Sequence, residues 1–226
     1  FLNRVAWDES HRLAEERGPF PEYERSALKE RGMPPVRHSS VLTIAPTGTI
    51  SRIAGCSSGI EPHFALAWRS NVLWTEQSDA SERLLDAPTS VWEALREQLG
   101  GKEDEVRGLL EQVADSPEDA QRILGEHGLD DSVFRTSMAI SPESHVRVQA
   151  MWQQHITNSV SKTVNLPQRA TAEGVRAIFL MAHSEKCKGI TVYRYGSKQQ
   201  QVLHLGDTPT DLESEQSPYI TVHSEY

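Results

Sequence analysis

The stretch with the clearest chemistry is Pro46-Thr47-Gly48-Thr49-Ile50-Ser51. A proline stops the extended run before it, Gly48 turns the chain, and Arg52-Ile53-Ala54 continues as a helix. A turn that feeds a helix leaves the first backbone N–H groups unpaired at the positive end of the helix dipole, an arrangement that binds phosphate. The hydroxyls of Thr47, Thr49 and Ser51 add donors. Gly48 lets backbone approach a ligand and tolerates a positive φ. The same residues also fit an ordinary β-turn, and they carry neither a P-loop's Gly-x-x-x-x-Gly-Lys-Ser/Thr nor the spaced glycines of a dinucleotide fold.

Other reactive types are thinner. Cys56, in Gly55-Cys56-Ser57-Ser58-Gly59, sits near a helix end where a thiol can be activated. It has no second cysteine nearby and Cys187 ends a helix, so inert packing is expected of both. His145 and His155 are ten residues apart and do not pair as metal ligands; each is expected to cap or to be satisfied internally. Glu61, before Pro62, orients a ligand or caps a turn. Tyr193 and Tyr195 alternate onto one face of a strand, with core packing the expected role.

The surroundings narrow the function classes. A chain of 226 residues fits one domain, or one with a small subdomain. Its 23 Lys+Arg against 32 Asp+Glu give a net charge of −9, which argues against sequence-independent nucleic-acid binding. No apolar run approaches the ~20 residues of a membrane span, and no signal-peptide pattern opens the chain. Two distant cysteines suit a reducing cytoplasm, the expected location. The chain opens at Phe1 in mid-pattern, as a part of something longer would.

The elements that must position these groups follow from periodicity. A helix over Asp8–Arg17 ends at Gly18, and a short helical piece spans Glu24–Arg31. Val41–Ala45 reads as a short buried strand. Residues 78–137 form an acidic helical insertion, a surface subdomain or lid. Within it Val91, Trp92, Leu95 and Leu99 mark one helix, and Val106, Leu109, Leu110 and Val113 mark another over 103–114. Ser116-Pro117-Glu118-Asp119 has the residue types of a helix start. Val148, Met151, Trp152, Ile156 and Val160 define a core-facing stripe from about His145 to Val160. Extended chain at 161–167 follows, then a helix with Val175, Ile178, Phe179 and Ala182 inward and Thr171 as N-cap, and then the strand Ile190–Tyr193. Strand, helix, strand at this spacing is a βαβ unit. Residues 204–226 read as a flexible tail.

Four blocks, in order, resemble class II, adenosylcobalamin-dependent ribonucleotide reductases. They are Thr43–Ser51, Gly55-Cys56-Ser57-Ser58-Gly59-Ile60-Glu61-Pro62, the run from His145 to Pro167 with Val160-Ser161-Lys162-Thr163-Val164-Asn165-Leu166-Pro167, and Lys188-Gly189-Ile190-Thr191-Val192-Tyr193-Arg194. The similarity spans about Leu13 to Leu203 and is weakest over 85–135.

The resemblance implies an α/β fold: residues 1–203 form part of the C-terminal half of a ten-stranded α/β barrel, interrupted by the helical insertion at 78–137. It implies an enzyme that reduces ribonucleotides to deoxyribonucleotides through a cysteine thiyl radical generated by adenosylcobalamin. Pro46, Thr47, Gly48, Thr49, Ile50 and Ser51 become the substrate phosphate loop, in agreement with the reading from backbone geometry. The thiyl-bearing loop and both reducing cysteines are not in this stretch, and Cys56 does not match them. The expected partners are therefore a ribonucleotide and the polypeptide carrying the thiyl-radical cysteine, and the chain alone is expected to be inactive. The alternative from another class is a non-catalytic regulatory protein derived from a barrel half.

Overall fold

The parallel strand pair in the last third of the chain carries the architecture. The computed structural model describes residues 1–71, 83–129 and 132–197. The expected tail at 204–226, and residues 78–82 of the insertion, lie outside them. In chain order the helices are α1 (Leu2–Arg17), α2 (Ala27–Glu30), α3 (Gly48–Ala54), α4 (Thr89–Gln98), α5 (Glu103–Asp115), α6 (Ala120–Glu126), α7 (Pro142–Gln153) and α8 (Ala172–Ser184). The strands are β1 (Trp68–Asn71), β2 (Arg83–Asp86), β3 (Thr163–Leu166) and β4 (Thr191–Arg194).

β3 and β4 pair in parallel, Thr163 opposite Thr191 and Asn165 opposite Tyr193, with α8 as the crossover. This is the expected βαβ unit. Side chains alternate across a strand, so Val164 and Leu166 are buried with Val146 of α7 and Ile178 and Ala182 of α8. Thr163 and Asn165 point to the opposite face. Thr171 caps α8 as expected, its hydroxyl accepting the Gly174 N–H at 3.1 Å.

A second core belongs to the insertion. Val106, Leu109, Leu110 and Val113 of α5 are buried with Val91 and Leu95 of α4 and Ile123 and Leu124 of α6. The antiparallel β1–β2 pair packs on α5, and the core reaches back to Leu66 and Ala67. Arg69 of β1 grips Asp115 of α5 at 2.7 and 3.0 Å and holds that carboxyl below the usual range. The Ser116–Asp119 start is a 3-10 turn over Pro117–Asp119 with no side-chain cap on Ser116, and α6 begins only at Ala120.

Further expectations fail. Val41–Ala45 is half-exposed extended chain with a single parallel bridge, Ile44 to Val160. The amides of Val41 and Leu42 are taken by the Thr157 hydroxyl at 2.9 and 3.0 Å, not by a carbonyl ladder, so no strand propagates. The α7 stripe also faces the wrong way. Val148 is 40% exposed, Met151 65% and Trp152 47%, while His145, Val146, Gln149 and Ala150 are inward. Buried carbonyls explain this: Gln149 Nε2 donates to Val160 O and Gly189 O at 3.2 and 2.6 Å, a task an apolar side chain cannot perform. Ile156 and Val160 are buried, but beyond the helix end. On α8 Phe179 is likewise exposed. Among the described residues no helix is long and apolar enough to cross a membrane.

Candidate functional site

Thr47 precedes α3 in the left-handed conformation, φ 50° and ψ 29°. The positive φ thus falls on a β-branched residue; Gly48 is the first residue of the helix, and a Cβ built on it would meet nothing within 4 Å. The first intrahelical bond runs from Ser51 N to Thr47 O at 3.0 Å. That leaves the N–H groups of Gly48, Thr49 and Ile50 ahead of it, without a helical acceptor. Gly48, Thr49, Ile50 and Pro46 are exposed.

The three hydroxyls are not equally available. Thr47 Oγ1 accepts the Gly59 N–H at 2.9 Å and keeps its own proton to donate. Ser51 is buried; its Oγ donates to Gly48 O at 3.0 Å and meets Ser58 Oγ at 2.9 Å. Thr49 alone of the three has no internal partner among the described residues. Two glycines let the 55–61 loop close over this turn. A Cβ on Gly59 (φ 52°) would come to 3.1 Å from Ala45 O, and one on Gly55 (φ 69°) to 3.2 Å from Thr89 Oγ1.

Beside the turn lies a cavity of about 930 Å³, a volume at the upper end of ligand pockets. Ser51 and Arg52 line it; Pro46, Thr47, Gly48, Thr49 and Ile50 stand outside its lining. The far wall is the outward face of the parallel pair, with Thr163, Asn165, Thr191 and Tyr193, and Ala87, Pro88 and Thr89 at the start of α4 close another side. The insertion therefore contributes a wall to the site. Tyr193 meets Phe64 edge-on with ring centroids 6.4 Å apart, so Tyr193 is a lining residue and not the core residue expected. Arg52 stands 3.6 Å from Asp86 across the rim. His63 also lines the cavity, its Nε2 3.2 Å from Ser90 Oγ, and burial holds its pKa low.

Cys56 is exposed on the lining and not packed, against expectation. Cys187 packs against the β3–α8 core, and its thiol is pushed up by burial. His155 is exposed, and no metal-binding cluster occurs among the described residues. His145 is internally satisfied as expected, with Nε2 2.9 Å from Ser137 O. Its other nitrogen exposes a residue missed from sequence. Lys162 is 3% exposed, and its ammonium contacts His145 Nδ1, Glu61 Oε2 and Thr163 O. The signal was present: Val160, Lys162, Val164 and Leu166 share one face by alternation, and a lysine at an inward position requires a counter-charge.

Residues 27–193 match the ribonucleotide reductase barrel domain, and the chain belongs to that family. It is 41% identical over 207 residues to the vitamin B12-dependent ribonucleoside-diphosphate reductase of Mycobacterium tuberculosis (strain CDC 1551 / Oshkosh), covering 89% of this chain and 27% of that protein. The protein of the same name from Thermoplasma acidophilum is 41% identical over 210 residues, covering 93% and 26%. The vitamin B12-dependent ribonucleotide reductase of Streptomyces coelicolor is 33% identical over 173 residues, covering 74% and 17%. With 27% and 26% of the first two covered, the chain spans about a quarter of the length of these relatives. The Actinobacillus ureae class Id ribonucleotide reductase alpha subunit shares the fold, with a TM-score of 0.57 at 22% identity over 86% of this chain and 32% of that one. The expectation that this chain forms part of a reductase barrel holds.

Proposed function

We propose that this chain supplies the substrate phosphate-binding loop of a vitamin B12-dependent ribonucleotide reductase, working with the polypeptide that carries the thiyl-radical cysteine. The observation that carries this reading is the set of unpaired amides at Gly48, Thr49 and Ile50, open to solvent at the positive end of α3 and adjoining a cavity of nucleotide scale. These N–H groups and the Thr49 hydroxyl hold the phosphates. Arg52 adds a planar guanidinium at the rim, suited to bidentate bonding of two phosphate oxygens. Asn165, Thr163 and Thr191 offer polar groups to the ribose, and the Phe64–Tyr193 pair forms an aromatic wall.

Adenosylcobalamin would act in the complete enzyme, as the names of the relatives imply. Among the described residues no cluster of metal-binding side chains stands ready for its cobalt. The role of this chain is to bind and orient the substrate.

The test is reconstitution. The purified chain with adenosylcobalamin, a dithiol and a ribonucleoside diphosphate should form no deoxynucleotide, and activity should appear on adding the polypeptide with the thiyl-radical cysteine. Turnover by the chain alone would overturn the reading. So would silence of the mixture despite formation of a complex, the outcome expected of a purely regulatory barrel half.

A further inference from the structure

Lys162 holds its ammonium inside the protein, and all three of its protons are used. It donates to Glu61 Oε2 at 2.6 Å, to His145 Nδ1 at 2.7 Å and to Thr163 O at 2.8 Å. An ammonium has no lone pair, so His145 Nδ1 is the acceptor. The imidazole proton then lies on Nε2, which donates to Ser137 O at 2.9 Å. Glu61 is equally committed: its Oε1 accepts the Thr163 N–H at 2.5 Å. Although Glu61 lines the cavity, its charge is matched from behind and both oxygens are engaged.

From Glu61 the bonds run on to the phosphate loop. Its N–H donates to Ser58 O at 2.8 Å, Ser58 Oγ meets Ser51 Oγ at 2.9 Å, and Gly59 N donates to Thr47 Oγ1 at 2.9 Å. Thr47 is at φ 50°, a conformation a β-branched residue keeps only when its surroundings impose it. The imposing contact is the Gly59 amide, and the loop that presents Gly59 is anchored at Glu61.

We propose that Lys162, with Glu61 and His145, is a buried latch that positions the phosphate loop: it fixes the 58–61 segment, which in turn holds Thr47 left-handed and aims the amides of Gly48, Thr49 and Ile50. This rests on the phosphate-loop reading above. Lys162 and Glu61 are positioning residues that touch no phosphate themselves.

The test uses the full 226-residue chain, with Lys162→Met, which removes charge and donors, and Glu61→Gln, which keeps shape. Amide exchange and ¹⁵N shifts are followed with pyrophosphate as the probe. Both variants should exchange the Gly59 amide about tenfold faster or more while Leu109 and Leu110 in α5 keep parental protection. The pyrophosphate Kd, read from folded molecules at residues 48–50, should weaken about tenfold or more. A merely structural role would lower the folded fraction and leave that Kd unchanged. Parental Gly59 exchange and parental Kd in folded variants overturn the latch and leave the phosphate loop standing. If the parent shows no shift at 48–50, the phosphate-loop reading fails, and Gly59 exchange alone decides the latch. If Lys162→Met does not fold, Glu61→Gln decides.

Discussion

The side-chain oxygen of Thr47 lies 2.9 Å from the amide nitrogen of Gly59 and accepts its hydrogen bond, twelve residues along the chain. It does so from φ 50°, where a side chain costs about 1–2 kcal/mol. Thr47→Val keeps the shape and the strain but leaves the exposed Gly59 N–H to water, and should lower stability by about 0.5–1.5 kcal/mol. Thr47→Gly loses the same bond yet releases the strain, so it should fall between the parent and the valine variant. Urea melts of the three proteins check the order. Equal loss in both variants would show that no strain resides at Thr47.

His145 makes stability depend on pH. Burial chiefly holds its pKa below the ordinary value, against the opposing pull of its bond to Ser137; the Lys162 charge adds to the lowering and Glu61 opposes it least. The neutral ring is the one the fold binds, so the unfolded chain takes up the proton first. Stability should be complete above about pH 6.5 and fall as pH drops below it. Urea melts between pH 7.5 and 5 read this, and His145→Gln should flatten the slope even if it lowers the plateau. An unchanged slope in that variant would assign the dependence to other groups.

Much of the fold was legible where one face of an element meets a uniformly apolar surface. The α5 stripe at Val106, Leu109, Leu110 and Val113 is such a case. So are the Thr171 cap and the β3–α8–β4 unit. Legibility failed where buried polar atoms set the rules. α7 turns His145 and Gln149 inward because Ser137 O, Lys162, Val160 O and Gly189 O wait there, and apolar spacing carries no record of those partners. Val41–Ala45 has strand residues but meets the Thr157 hydroxyl where a ladder would begin. At the site, the Pro46–Ser51 turn was readable from local residue types. The Glu61–Lys162 bond was not, since it joins residues 101 apart in the chain.

The orientation of α7 can be checked by contrast. Met151→Lys, on the exposed face, should change stability by no more than about 0.5 kcal/mol. Val146→Ala, on the buried face against Val164 and Leu166, should cost about 2 kcal/mol. Thermal melts of the two variants suffice. A costly Met151→Lys beside a harmless Val146→Ala would restore the inward stripe.

β4 has β3 as its pairing strand, and its other edge carries no ladder among the described residues. Parallel strands are normally covered on both sides, and bare edges promote association. The isolated chain should self-associate in a concentration-dependent way, or exchange rapidly along Ile190–Tyr193 and Val41–Ala45. Sedimentation and hydrogen exchange report on this. A monomer with both segments strongly protected would contradict a partial barrel.

The central claim is that the amides opening α3 hold the substrate's phosphates, and Gly48→Val in the reconstituted complex tests it most directly. Space around a Cβ at Gly48 is open, so the variant should fold, as circular dichroism would confirm, while its side chain, tilted toward the helix N-terminus as helical Cβ atoms are, should crowd the Gly48, Thr49 and Ile50 amides. Thr49→Ala serves as the measure of one lost donor, about 1.5–3 kcal/mol or roughly 10- to 150-fold in nucleotide affinity. Gly48→Val should lose more than that, to the point of no measurable binding. A folded Gly48→Val that binds nucleotide like the parent would place the phosphates elsewhere and contradict the account.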